Sequence, residues 1–401
     1  MNIMVFCSNP VNGGTARIFY ESVKGLSAKI SSNDKIFPCI NVHNKVEIYR
    51  KIPNLVELPI RSAEDMYPDC YGGIFAKRVF NTIKRSILYR VTEKNNIKEI
   101  CNFINKNKID AIIIHNGGYV GDDLCNQALA ASYLCASITK KRIYILHNDM
   151  QKNILSKIRF YDYDNRISKQ ATDIVTVSEF TKRRIEQSSF ISKTIKVIYD
   201  GMDVRSVLPK NVKNERVKVN NDYYNVLMIG NFLSNKGQIQ FIKTAALLFE
   251  HNKKYRFTII GNVYDKQYYD ACIKQIEDYS LNNVFAIYHG INNASEYIEM
   301  FDIQVVPSMY DESFGLISVE AMANGVPVVA FACGGIPEVV TNGRNGFVVP
   351  IGECDTMAEK IEYLMNNPNE RSRMAEYCRY DYNAKFSTES MINQYVDLLE
   401  I

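Results

Sequence analysis

Short apolar runs recur along the chain, with helix-period stretches between them. In the first half these runs are NIMVF (2–6), DAIIIH (110–115), RIYILH (142–147), DIVTVS (173–178) and IKVIYD (195–200). Segments 14–30, 123–138 and 179–187 repeat apolar positions every three or four residues, as helices do. The second half restarts the pattern with NVLMIG (225–230), RFTIIG (256–261), NVFAIYHG (283–290), IQVVPS (303–308), VPVVAF (326–331) and NGFVVP (345–350). Runs without alternation are strands buried on both faces, and strands alternating with helices make parallel sheets. The pattern predicts an α/β fold of two doubly wound, Rossmann-like domains facing a cleft. The first domain is expected over 1–207. A polar, aperiodic linker follows at 208–224, then the second domain at 225–387. The final helix, 388–401, carries an apolar stripe of Met391, Ile392, Tyr395, Leu398 and Leu399 that needs a partner. It is expected to complete the first domain.

Charge changes this picture. The 401 residues carry a net charge of only +4, but residues 1–205 balance at +11 and the remainder at −7. A basic half implies an anionic partner, and nucleic acid and an anionic membrane are both open on charge alone. No recognition module or aromatic-basic stacking pattern supports nucleic acid. Composition is that of a soluble globular protein, with 46% apolar residues and no tryptophan. No apolar stretch has the length of a membrane span, and the N-terminal residues read as a first strand rather than a signal peptide. The ten cysteines show no metal-like or paired spacing, so free buried thiols in a reducing cytoplasm are expected.

The densest chemistry runs from 302 to 350, DIQVVPSMYDESFGLISVEAMANGVPVVAFACGGIPEVVTNGRNGFVVP. A strand ends at Pro307-Ser308, a loop carries Glu312, and Gly315 opens a helix that contains Glu320. The amides of Gly315 and Leu316 at that helix start suit a phosphate. Glu320, four residues after Leu316, leans back toward the same end and suits ribose hydroxyls.

This stretch resembles the E-x7-E signature of retaining GT-B glycosyltransferases, glycosyltransferase family 4 in particular. NGGTAR (12–17), ATDIVTVSEFTKRRI (171–185), VIYDGMD (197–203) and MIGNFLSNKG (228–237) extend the resemblance over nearly the whole chain. It implies a retaining, metal-independent enzyme that moves a sugar from a nucleoside-diphosphate sugar, a UDP-sugar above all, to a hydroxyl. The acceptor is a glycan or lipid-linked glycan, as in bacterial surface polysaccharide, capsule or lipopolysaccharide assembly. No cofactor or metal is expected. Glu320 would hold the ribose and Glu312 the transferred sugar. Lys236 would neutralise the leaving diphosphate, with Asn231, Ser313, Phe314, Gly315 and Leu316 completing the donor site. Gly13, Gly14 and Arg17 would lie at the phosphate or acceptor, and His147 would touch the donor sugar. Asp302 and Ser178 fit the pattern as structural residues.

One departure concerns charge at the leaving group. Where the resembled family has arginine, this chain has Asn231, so one of two cations is missing. Arg17 or Lys140–Arg142 are the basic residues that could replace it. Asp200 stands where asparagine is common. The departure keeps two alternatives in view: a catalytically weakened, nucleotide-sugar-binding regulatory protein, and a GT-B nucleotide-sugar hydrolase or epimerase. His115 in IIIHNGGY has a lesser claim than His147, and YDYD (161–164) reads as surface. Residues 75–91 form an amphipathic helix with Lys77, Arg78, Lys84 and Arg85 largely off its apolar face, a place for peripheral contact with an anionic inner-membrane surface.

Overall fold

The computed structural model of the protein describes residues 1–10, 13–62, 75–117, 123–148, 160–204, 217–291 and 293–400, with backbone alone over 75–88. The chain divides into two compact units. Met1–Gly201 and the C-terminal residues from Met391 form the first, and Met202–Ser390 the second. Of the expected linker 208–224, residues 208–216 lie outside the described residues.

The first unit holds a seven-stranded parallel sheet made of β1 (Asn2–Cys7), β2 (Lys35–Asn41), β3 (Val56–Leu58), β4 (Ala111–Asn116), β5 (Lys141–Leu146), β6 (Asp173–Thr176) and β7 (Ile195–Val197). Its order is β3-β2-β1-β4-β5-β6-β7. The second unit has six parallel strands: β8 (Tyr224–Ile229), β9 (Tyr255–Ile260), β10 (Phe285–Tyr288), β11 (Ile303–Val306), β12 (Val328–Phe331) and β13 (Gly346–Val349). Their order, β10-β9-β8-β11-β12-β13, repeats the same logic. In both sheets the order reverses beside the first strand, between β1 and β4 and between β8 and β11. Ligands of doubly wound sheets bind at the C-terminal strand ends near this reversal. Two doubly wound, Rossmann-like α/β units, as expected, are therefore what the structure has.

Each unit has its own core. Met4, Phe6, Ile112, Ile114, Tyr144 and Leu146 bury one face of the first sheet, and Val226, Met228, Phe257, Ile259 and Val305 one face of the second. Two strands were not legible in the apolar pattern. β2 contains Pro38, which breaks a sequence-level strand signal, yet Pro38 pairs in register with Val5. β3 is only three residues long. The helix foreseen over 75–91 runs on to Asn107, because Ile100 and Ile104 enter the core. Its basic residues Lys77, Arg78, Lys84 and Arg85 lie in the stretch described by backbone alone. The last helix, Thr388–Leu399, buries Met391, Ile392, Tyr395 and Leu399.

Candidate functional site

In the second unit, three strand ends converge on one carboxylate. Strand β8 leads through Gly230 and Asn231 to a 3-10 turn, Ser234–Lys236, and then into helix Gln238–His251. Gly237 joins the two with φ +78°, and a Cβ there would lie 1.9 Å from the Pro307 carbonyl oxygen. Only glycine permits that approach. The Met309 amide donates to the Asn235 carbonyl at 2.9 Å, which holds the β8 and β11 loops together. The result is that Lys236 Nζ lies 2.6 Å from Glu312 Oε1. Ser308 Oγ donates to the same oxygen at 2.9 Å. The Gly335 amide, beyond β12, donates to the Glu312 carbonyl at 2.7 Å.

Past Glu312, Phe314 is buried against Phe386 (ring centroids 5.8 Å) and anchors the loop, with Ser313 half-buried beside it. Gly315, at φ +92°, caps helix Leu316–Ala323, and a Cβ there would touch Ile336 Cγ1 at 3.0 Å. Glu320 lies on the inner side of this helix, 6% exposed. Nearby Cys333 stays a thiol: burial pushes its pKa up to about 11, and Asp311 and Glu312 add to the shift.

Asn231 does not replace a cation. Its Oδ1 accepts from the Asn262 amide at 3.0 Å, and its carbonyl accepts from Gln238 Nε2 at 2.9 Å. The side chain ties the β8 loop to the β9 loop.

In the first unit the strand ends hold a buried polar chain. His147 follows β5 and is 4% exposed. Its Nδ1 lies 3.4 Å from Asp200 Oδ2, and its Nε2 lies 3.0 Å from Nδ1 of the fully buried His115, the next-to-last residue of β4. Ring centroids 5.3 Å apart, with planes 17° apart, put the two imidazoles edge to edge, as an N–H···N bond requires. Burial, and secondarily His147, hold the His115 pKa well below the ordinary histidine range. Burial and the Asp200 carboxylate push the neighbouring Tyr395 phenol up. Gly13 and Gly14 are exposed at the start of helix Gly14–Lys29, and open space surrounds the Gly13 Cβ direction. Arg17 is half-buried one turn later, and its amide bonds the Gly13 carbonyl at 3.2 Å.

Three expectations require correction. Lys140–Arg142 cannot serve the leaving group from a strand end, because they sit at the start of β5, with His147 following its other end. A strand of this length spans about 20 Å, and Arg142 is occupied by the Gln170 and Thr139 carbonyls, each at 2.7 Å. YDYD is not all surface: Asp164 is fully buried and accepts from the Phe190 amide at 2.8 Å. Asp200, a substitution of no evident weight in the sequence, is the partner of His147. Ser308 goes unranked by sequence and His115 ranks below His147, since a serine after a strand and a histidine within an apolar run carry little signal until tertiary contacts are known.

Ser178 and Asp302 are structural. Ser178 Oγ caps helix Glu179–Ser188 by accepting from Thr181 at 3.0 Å, and Asp302 accepts from the Asn225 amide at 2.9 Å. Among the described residues no group of three or more His, Cys, Asp or Glu could hold a metal ion. None of their helices is long and apolar enough to cross a membrane.

Residues 210–381 match the family described as Glycosyl transferases group 1. The chain is 28% identical over 309 residues to an uncharacterized 41.2 kDa protein in the cps region of Klebsiella pneumoniae, covering 73% of this chain and 79% of that one. It is 29% identical over 245 residues to the capsular polysaccharide biosynthesis glycosyltransferase CapM of Staphylococcus aureus, covering 56% and 62%. Among solved structures, Anabaena HepE in complex with UDP superposes with a TM-score of 0.74 at 16% identity, over the full length of both chains. A glycosyltransferase of Rickettsia africae gives 0.73 at 18% identity, covering 100% of this chain and 98% of that one. The fold is thus GT-B, and the match to the group 1 glycosyltransferase family lies within the second unit.

Proposed function

We propose that the protein is a retaining, metal-independent glycosyltransferase that moves a sugar from a UDP-sugar to a hydroxyl of a glycan or lipid-linked acceptor in surface polysaccharide synthesis. The observation that carries this reading is the 2.6 Å contact between Lys236 and Glu312, beside a helix that begins at Gly315. UDP and UDP-glucose occupy HepE, a neighbour in fold, which supports a nucleotide-sugar donor. The relatives from capsule loci support the acceptor class.

Without donor, Lys236 and Glu312 neutralise each other. A bound diphosphate competes for the ammonium, joined by the free amides at the helix start. Glu312, released, accepts hydrogen bonds from sugar hydroxyls, and Glu320 accepts them from ribose. In transfer the bond from C1 to the diphosphate oxygen breaks and its electron pair leaves with the diphosphate. Lys236 stabilises that charge. The acceptor oxygen bonds to C1 on the same face, and its proton passes to the leaving phosphate oxygen. The resemblance gives His147 the role of a residue beside the donor sugar. The helix that starts at Phe75 would rest on an anionic bilayer, which vesicle co-sedimentation with and without phosphatidylglycerol would test.

Incubating the protein with a panel of radiolabelled nucleotide sugars and a lipid-linked glycan tests the whole. Transfer with retained anomeric configuration, unaffected by EDTA, is expected. Inverted product, or loss of activity in EDTA restored by manganese, would overturn the corresponding part. Free sugar or an epimer formed at full rate without acceptor would make the protein a hydrolase or epimerase instead.

A further inference from the structure

The chain Asp200–His147–His115 is more elaborate than a packed core needs. His115 Nε2, Asp200 Oδ1 and Tyr395 Oη are all buried without hydrogen-bond partners, and Tyr395 packs edge-on against His115 with centroids 6.4 Å apart. Unsatisfied polar atoms in a core oppose folding. The direction of the bonds is set by chemistry. A carboxylate only accepts, so Asp200 Oδ2, 3.4 Å from His147 Nδ1, favours a proton on that nitrogen by charge. A neutral His147 then has a bare Nε2, which accepts from Nδ1–H of His115. His115 is left with a bare Nε2, in keeping with its resistance to a second proton.

We propose that Asp200 and His115 are positioning residues for His147, holding its imidazole in the Nδ1–H tautomer by the carboxylate facing Nδ1 and the hydrogen bond at Nε2, so that it serves transfer as a fixed wall. This rests on the placement of His147 in the sugar site proposed above. The clamp also accounts for the residue type at 200. The Oδ1 of an asparagine, also an acceptor, would favour the same proton with its partial charge.

The test uses the full-length protein with 15N-labelled histidine rings. The chain has five histidines, so each ring signal can be assigned by single substitution. Long-range 1H–15N spectra should show His147 and His115 both as neutral Nδ1–H tautomers. Asp200→Leu, which removes the acceptor, should convert His147 to the Nε2–H form or a mixture. It should also lower kcat roughly 10²-fold with the donor KM little changed, the scale of a misplaced reacting group. Asp200→Asn should recover the tautomer and most of the rate. If Asp200→Leu does not fold, His115→Phe decides: it preserves the ring packing against Tyr395 and removes an orphaned nitrogen, so it should fold. His147 should then lose its fixed tautomer, and kcat should fall about 10-fold for a wall freed on one side. An Nε2–H His147 in the unaltered protein, or a tautomer indifferent to both substitutions, overturns the clamp. Locked tautomers in a protein that transfers no sugar from any donor overturn the transfer function instead.

Discussion

At the strand ends of the second unit, Lys236 and Glu312 leave 33% and 25% of their side-chain surface exposed, whereas at those of the first His147 and Asp200 leave 3% and 6%. Both sets lie on doubly wound sheets with the same order over six strands, the first sheet adding a seventh. The part-exposed ion pair is weak in water, so an incoming anion can take the place of Glu312 on the Lys236 ammonium at small cost. The buried chain has no such freedom. Removing one member strands another in a medium where unpaired polar groups are costly. A shared strand order thus yields one labile site and one rigid site, and burial makes the difference.

The sharpest way to break this comparison is at the labile pair. Lys236→Ala should lower transfer roughly 10³-fold, the upper range for loss of one group that stabilises developing charge, while the melting temperature barely moves. Full transfer by this variant would put the diphosphate elsewhere. Glu312→Gln keeps the shape and should cost roughly 10²-fold in kcat. Glu320→Ala should instead raise the donor KM more than it lowers kcat. Steady-state kinetics across donor concentrations separates the two effects, and equal changes would erase the distinct roles.

The rigid site should declare itself through pH. His115 is held neutral in the folded protein, with His147 and Tyr395 as the titratable groups that face it. In the unfolded chain a histidine takes up a proton near pH ~6.5. Below that pH the unfolded state binds more protons, so stability falls as pH falls and is fully present above it. Between pH 7 and 5.5 the loss from this one group should be about 1 kcal/mol. Urea melts at the two pH values should show it in the unaltered protein and not in His115→Phe. An equal loss in both proteins would mean that another group carries it.

The smallest expected effect is at Asn231. Because its Oδ1 holds the Asn262 amide, Asn231→Arg removes a loop tie worth about 1 kcal/mol, and the melting temperature should drop by a few degrees. Any gain in UDP affinity from the added charge is then set against a loosened β9 loop. Calorimetric titration with UDP should report less than a ~10-fold increase, the equivalent of ~1.4 kcal/mol. A larger increase at unchanged stability would show that the tie matters little and that charge was the only deficit.

Apolar runs near 2–6, 110–115 and 142–147, and their counterparts in the second half, determined by themselves that two parallel sheets form, because a strand buried on both faces must be apolar throughout. Glu312, Gly315 and Glu320 were legible for a similar reason: their spacing depends only on one loop and the first turns of one helix. Strands carrying Pro38 or only three residues were not, since their pairing is supplied by neighbours far along the chain. Local sequence also gave no means of knowing that Lys236, 76 residues from Glu312, would meet it at hydrogen-bond distance. Nor could it join Asp200, His147 and His115, which stand on three separate segments. Whether a polar side chain becomes a displaceable ligand or a buried link depends on how much water the packed structure leaves around it, and only the tertiary structure decides that.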